Sequence, residues 1–98
     1  MKLDDLKATL TAACRKFDVK RLDAFGSTAR GTAGDASDLD LLVEFQDPGR
    51  NPAGRYFGLL HSLEDQLGCE VDLLTAGSLK NPYFRERVMQ ERVLVYEG

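Results

Sequence analysis

The run Asp38-Leu39-Asp40-Leu41-Leu42-Val43-Glu44-Phe45 constrains this chain more than any other segment. Leu39, Leu41, Val43 and Phe45 fall on one side of an alternating pattern, and Asp38, Asp40, Leu42 and Glu44 on the other. A period of two predicts a strand with one apolar face turned to a core. It also predicts that the carboxylates of Asp38 and Asp40 converge on the opposite face, because side chains two residues apart share a face. Like charges held that close repel each other. A divalent cation such as Mg²⁺, which prefers oxygen ligands, removes the repulsion. The fold therefore centres on a sheet with helices packed on it.

The rest of the chain supplies those elements. Leu3, Leu6, Leu10, Ala13 and Phe17 recur at three- and four-residue steps, which predicts an amphipathic helix with Asp4 and Asp5 in its first turn. Residues 19–25 alternate as a strand that runs into Gly26-Ser27, and the small residues of 28–37 predict a short helical turn followed by a loop. Asp47-Pro48-Gly49 ends the acidic strand. Tyr56, Leu59, Leu60, Leu63 and Leu67 trace another helix, and Gly68 is placed to close it in a left-handed cap. Residues 70–74 predict a third strand, 75–80 a connector, and 93–96 a last strand. Between them Asn81-Pro82 opens a helix, with Asn81 as cap and Pro82 at the first helical position. The expected fold class is α+β, a mixed β-sheet flanked by helices, in a single domain over 1–98.

Composition narrows the function classes. The net charge is −3, from 16 acidic against 13 basic residues, which weighs against a chain whose main task is to coat nucleic acid. No apolar run approaches the roughly 20 residues of a membrane span. The acidic, polar start is unlike a signal peptide. Cys14 and Cys69 lie far apart and form no CxxC pair, as expected of reduced thiols in a cytoplasmic protein. No membrane partner and no direct nucleic-acid contact are expected.

Asp72 offers a third carboxylate from the third strand. If that strand pairs with the acidic one, three carboxylates meet on one sheet face. That donor set suits the two-metal arrangement used for phosphoryl and nucleotidyl transfer. Gly26 allows a close backbone approach, and the Ser27 hydroxyl is able to donate to a phosphate oxygen. Arg30 faces either a phosphate or an acidic neighbour. Other residues receive plainer readings. Glu44 belongs in a surface ion pair, Glu70 is a weaker third acid, and His61 is a surface or packing residue. Arg85, Arg87 and Arg92 are read as helix solvation rather than a basic rim for a nucleotide or partner. Tyr56, Phe57, Tyr83 and Phe84 are read chiefly as core, though one could stack on a base.

Gly26-Ser27, ten intervening residues and then Asp38-Leu39-Asp40 resemble the signature of the DNA polymerase β-like nucleotidyltransferase superfamily. The stretch GSTARGTAGDASDLDLLVEF is similar to the small MNT-domain proteins, the minimal nucleotidyltransferases, and the likeness extends through EVDLLT to the closing RVLVYEG. The resemblance implies a palm-like sheet and two Mg²⁺ ions with ATP as substrate. It makes Asp38 and Asp40 metal ligands. Asp72 becomes the acid that binds one metal and helps deprotonate the attacking hydroxyl, and Gly26 and Ser27 become the triphosphate-binding turn. Chains of this size are similar to antitoxins encoded beside HEPN-domain RNase toxins. That implies transfer of AMP to a tyrosine hydroxyl of the toxin, which silences it.

Two other functions compete. A binding module that neutralises its partner by occlusion would need neither the acids nor a nucleotide. A transferase acting on a small-molecule acceptor would need a further pocket, and larger relatives supply one with an added helical domain. The expectation for this chain is a nucleotide- and metal-binding half-site whose acceptor half arrives on another chain.

Overall fold

The alternating acidic run forms the second strand of a four-stranded sheet. The structure is a computed structural model describing residues 3–30 and 39–98, without the side chains of Leu3, Asp4, Ser27 and Arg30. Its elements follow in the order α1 (Leu3–Lys16), β1 (Val19–Ala24), α2 (Gly26–Arg30), β2 (Leu39–Phe45), α3 (Pro52–Leu67), β3 (Val71–Thr75), a 3₁₀ turn (Ala76–Ser78), α4 (Pro82–Glu91) and β4 (Val93–Glu97). The strands are arranged β3-β2-β1-β4. β1 is antiparallel to β2 and to β4, whereas β2 and β3 are parallel, joined through α3. The sheet is mixed and the fold class is α+β, as expected.

The two sheet faces are unequal. Leu10 of α1, Leu59 and Leu63 of α3, and Leu22 and Leu41 of the central strands are fully buried in one cluster. Burying each such side chain contributes roughly 1.5–3 kcal/mol relative to exposure, so this face carries most of the packing energy. The opposite face holds a smaller cluster of Phe25, Leu42, Leu79 and Val88. Val88 is the one buried residue of α4, and Met89 and the Phe84 ring pack beside it on the same face.

Strand β1 explains how both faces are served. Val19 and Leu22 both enter the larger core although they stand three residues apart. A register shift between Val19 and Arg21 inserts the extra residue that makes this possible. After it, Leu22 and Ala24 face the main core while Asp23 and Phe25 do not share it.

The caps are those the sequence implies. Gly68 has φ 65° and its N–H donates to the Glu64 carbonyl at 2.9 Å. Asn81 caps α4, its side-chain oxygen accepting from Tyr83 N at 3.0 Å and Phe84 N at 3.3 Å. Cys14 is buried, and no disulfide joins it to Cys69. Among the described residues, no helix is long and apolar enough to cross a membrane.

The core reading of the aromatics is corrected. Tyr83 is 80% exposed, Phe57 54% and Phe84 42%, and only Tyr56 of the four is half-buried. Leu59 and Leu63 define the buried stripe of α3, and Phe57 lies off it. Tyr83 and Phe84 sit in the first turn of a helix whose burial comes a full turn later, at Val88.

Two buried charges had no clear sequence signal. Asp23 is only 1% exposed. The Arg21 Nε donates to both its oxygens, at 2.9 and 3.2 Å, and Arg92 stands at 3.8 Å. That hydrogen bond and the Asp23 charge raise the Arg21 pKa above its ordinary value. Arg55 of α3 is also buried. It donates to the carbonyls of Gln46 at 2.6 Å and Asp47 at 2.7 Å, and its guanidinium lies over the Phe45 ring at 4.9 Å. Arg55 thereby ties the start of α3 to the chain leaving β2.

Candidate active site

The site forms where β1 ends beside the start of β2. The Phe25 N–H donates to the Asp40 carbonyl at 3.0 Å, carrying the pairing one residue past β1. Gly26 follows with φ +57°, a conformation that favours glycine. A Cβ at this position would lie 3.0 Å from Asp40 Oδ2, so the turn and the carboxylate are pressed together. The chain then enters α2. There the buried Thr28 hydroxyl accepts the Asp40 N–H at 2.9 Å. The Asp40 backbone is thus held by the Phe25 amide and by the Thr28 hydroxyl, one on each side of Gly26.

Asp72 is the register partner of Asp40 on the parallel strand β3. Neighbouring strands lie about 4.8 Å apart, so the two carboxylates leave the same face side by side. Asp40 is half-buried and Asp72 exposed. Both open on a cavity of about 330 Å³, whose other walls are Phe25, Gly26, Phe84, Arg87, Val88 and Glu91. Helix α4 therefore forms the far side of the site.

Of the residues expected here, Gly26, Asp40 and Asp72 are brought together. Asp38 lies outside the described residues, as do the side chains of Ser27 and Arg30. Glu44 sits farther along β2 and pairs with Lys20 at 3.6 Å, the surface ion pair expected of it. Glu70 is exposed just before β3, and its carbonyl accepts the Leu39 N–H at 3.1 Å. His61 is exposed near the Phe57 ring. The Tyr56 hydroxyl donates to the Leu73 carbonyl at 2.5 Å. Burial, and then the Asp72 charge, raise the Tyr56 pKa, which keeps this phenol a donor.

By sequence alone Phe84 reads as core or a base-stacking ring and Arg87 as helix solvation, and nothing sets them with Val88 and Glu91 against the aspartates. The spacing of these four helix residues, at three, four and seven, is one face of a helix, and that was the available signal. What the spacing did not say is that the face meets two aspartates. A larger hollow of about 750 Å³, lined among others by Phe45, Pro48, Tyr56 and Leu73, lies toward the other ends of β2 and β3. Its walls are apolar apart from Glu44 and a few hydroxyls, and neither Asp40 nor Asp72 lines it.

Two adjacent carboxylates supply hard oxygen donors of the kind Mg²⁺ prefers. Among the described residues, no three carboxylate, imidazole or thiol groups gather as a metal cluster. The described donors thus fit a hard cation as a pair.

Comparison with known proteins identifies the family and the fold. The sequence profile described as "Nucleotidyltransferase domain" matches residues 6–95. A protein adenylyltransferase of Thermococcus cleftensis is 34% identical over 97 residues, covering 95% of each chain. A solved structure described as a minimal nucleotidyltransferase superimposes with a TM-score of 0.77 at 38% identity, again over 95% of each chain. The same fold occurs in a complex of a tri-AMPylated Shewanella oneidensis HEPN toxin with an MNT antitoxin, with a TM-score of 0.69 at 17% identity, covering 98% of this chain and 73% of that one. The chain belongs to the nucleotidyltransferase domain family and is a nucleotidyltransferase.

Proposed function

We propose that the chain is an antitoxin that transfers AMP from ATP to a tyrosine hydroxyl of a HEPN-domain toxin, with Mg²⁺ as its metal. The observation that carries this reading is the register pairing of Asp40 with Asp72, with Gly26 set against Asp40. The adenylyltransferase relative and the AMPylated toxin bound to an MNT antitoxin support the same reading.

In the proposed reaction the tyrosine oxygen attacks the α-phosphorus of ATP. A bond forms between that oxygen and phosphorus, the bond to the β-phosphate oxygen breaks, and pyrophosphate leaves. Asp72 accepts the hydroxyl proton. Asp38, Asp40 and Asp72 would hold the metal, which when bound neutralises charge on the phosphates and the reacting oxygens. The Gly26-Ser27 turn holds the triphosphate, with Gly26 keeping its backbone open and Ser27 and Arg30 reaching phosphate oxygens. The acceptor tyrosine comes from the partner.

The test mixes the protein, ATP labelled at the α-phosphate, Mg²⁺ and the candidate toxin, and locates label by mass spectrometry. Label on a toxin tyrosine, lost with chelator, is expected. Absent label, or equal label from an Asp40→Asn/Asp72→Asn double variant, overturns the reading. Neutralisation that survives in that variant without nucleotide would favour occlusion instead.

A further inference from the structure

The Gly26 turn and the two aspartates account for the phosphate end of a nucleotide and leave its base without a seat. We propose that helix α4 is the nucleotide-reading wall: Phe84 stacks on the base and Arg87 contacts the phosphates. This rests on the nucleotidyl-transfer reading above and adds the residues that hold the donor.

Phe84 is 42% exposed and lines the cavity that Asp40 and Asp72 open on. It is not a loose surface ring. It meets the buried Phe25 edge to face, with centroids 6.4 Å apart and planes at 75°. Phe25 immediately precedes Gly26, so this contact fixes Phe84 one residue from the phosphate-binding turn. Asn81 holds the Phe84 N–H, and Val88 anchors the helix in the Leu42–Leu79 cluster. A ring held at one edge, with the rest open to a cavity, is the arrangement on which a flat base stacks.

Arg87 stands one helical turn further along the same face and lines the same cavity. It is exposed and has no ion-pair partner among the described residues, although Asp40, Asp72 and Glu91 share its cavity. A guanidinium in that position suits a polyanion entering an acidic cavity. The cavity of about 330 Å³ is at the lower end of the usual range for small-molecule sites.

Binding of Mg²⁺-ATP and of Mg²⁺-tripolyphosphate, which has no base, separates the two roles by calorimetry. Phe84→Ala should weaken ATP about tenfold, the scale of one base–aromatic stack, and leave tripolyphosphate unchanged. Phe84→Trp should bind ATP at least as tightly as the parent protein. Arg87→Gln should weaken both ligands by similar factors. Phe84→Ala gives up the edge contact with Phe25, so its unfolding temperature should fall by a few degrees, while unchanged tripolyphosphate binding shows that the site stays folded. Equal ATP binding by Phe84→Ala, parallel loss of both ligands in that variant, or no effect of Arg87→Gln would overturn the proposal. A parent protein that binds no Mg²⁺-ATP would instead overturn the transfer reading, and this one with it.

Discussion

Asp40 and Asp72 are register partners on parallel strands, so two carboxylates emerge from one sheet face with no residue between them. Neither is placed there by its own strand alone. β2 is central and β3 lies at the sheet edge, and the α3 crossover brings them into alignment. This pairing is the observation on which the proposed metal and proton-transfer roles rest.

Replacing either acid by its amide separates function from stability. Asp40→Asn and Asp72→Asn should each lower AMP transfer by about 10²-fold or more, the usual loss when a positioned acid–base or ligand group is removed. The unfolding temperature of Asp72→Asn should stay near that of the parent, since Asp72 is exposed. Labelled-ATP assays and thermal melts report the two effects. A variant with full transfer would show that the pair is not the reacting centre.

Gly26→Ala tests the close approach of turn and carboxylate. The added Cβ meets Asp40 Oδ2 at 3.0 Å in a backbone with φ +57°. The left-handed conformation costs roughly 1–2 kcal/mol for a residue with a Cβ, and Asp40 must also shift. Transfer should therefore fall by more than the stability loss explains. Gly77→Ala, where a Cβ meets nothing within 4 Å, is the control and should change stability by less than about 0.5 kcal/mol. Equal effects of the two substitutions in denaturation and transfer assays would refute the contact.

Cys14 gives the fold a defined alkaline weakness. Burial pushes its thiol from 9.0 up to about 12, so between these values the unfolded chain releases a proton that the folded chain keeps. Stability from this group is complete below the unfolded value and is lost as pH rises toward the folded one, at about 1.4 kcal/mol per pH unit. Urea denaturation from pH 8 to 11 should show a steeper decline for the parent than for Cys14→Ala. Parallel declines would mean that the thiol is not held protonated by the core.

Arg55→Met should cost about 2 kcal/mol, because two carbonyls at the end of β2 lose a charged donor. Arg55→Lys should recover less than half of that, since an ammonium lacks the planar fork that reaches both carbonyls while covering Phe45. Urea midpoints measure both. Full rescue by lysine would reduce the role of Arg55 to its charge.

Much of the fold was legible because it rests on short-range rules. The period of two in 39–45 and the three- and four-residue steps of α1 and α3 each state which face is buried. Gly68 and Asn81 mark helix ends through backbone chemistry that a few residues decide. Asp23 and Arg55 were not legible as buried groups. Their burial depends on partners that pairing and packing supply: Arg21 and Arg92 for one, two carbonyls for the other. The exposed aromatics were misread because a ring's hydrophobicity carries no information about where its helix docks.

The sequence by itself determined the elements, the main apolar core and the kinds of group available for chemistry, since these follow from local periodicity and side-chain type. Tertiary structure decided that Asp72 aligns with Asp40, that Gly26 presses against that carboxylate, and that Phe84 and Arg87 close the far wall. Those relationships join strands and a helix separated by tens of residues. They are fixed by hydrogen-bond register and by the docking of Val88, and neither is written in any one segment of the chain.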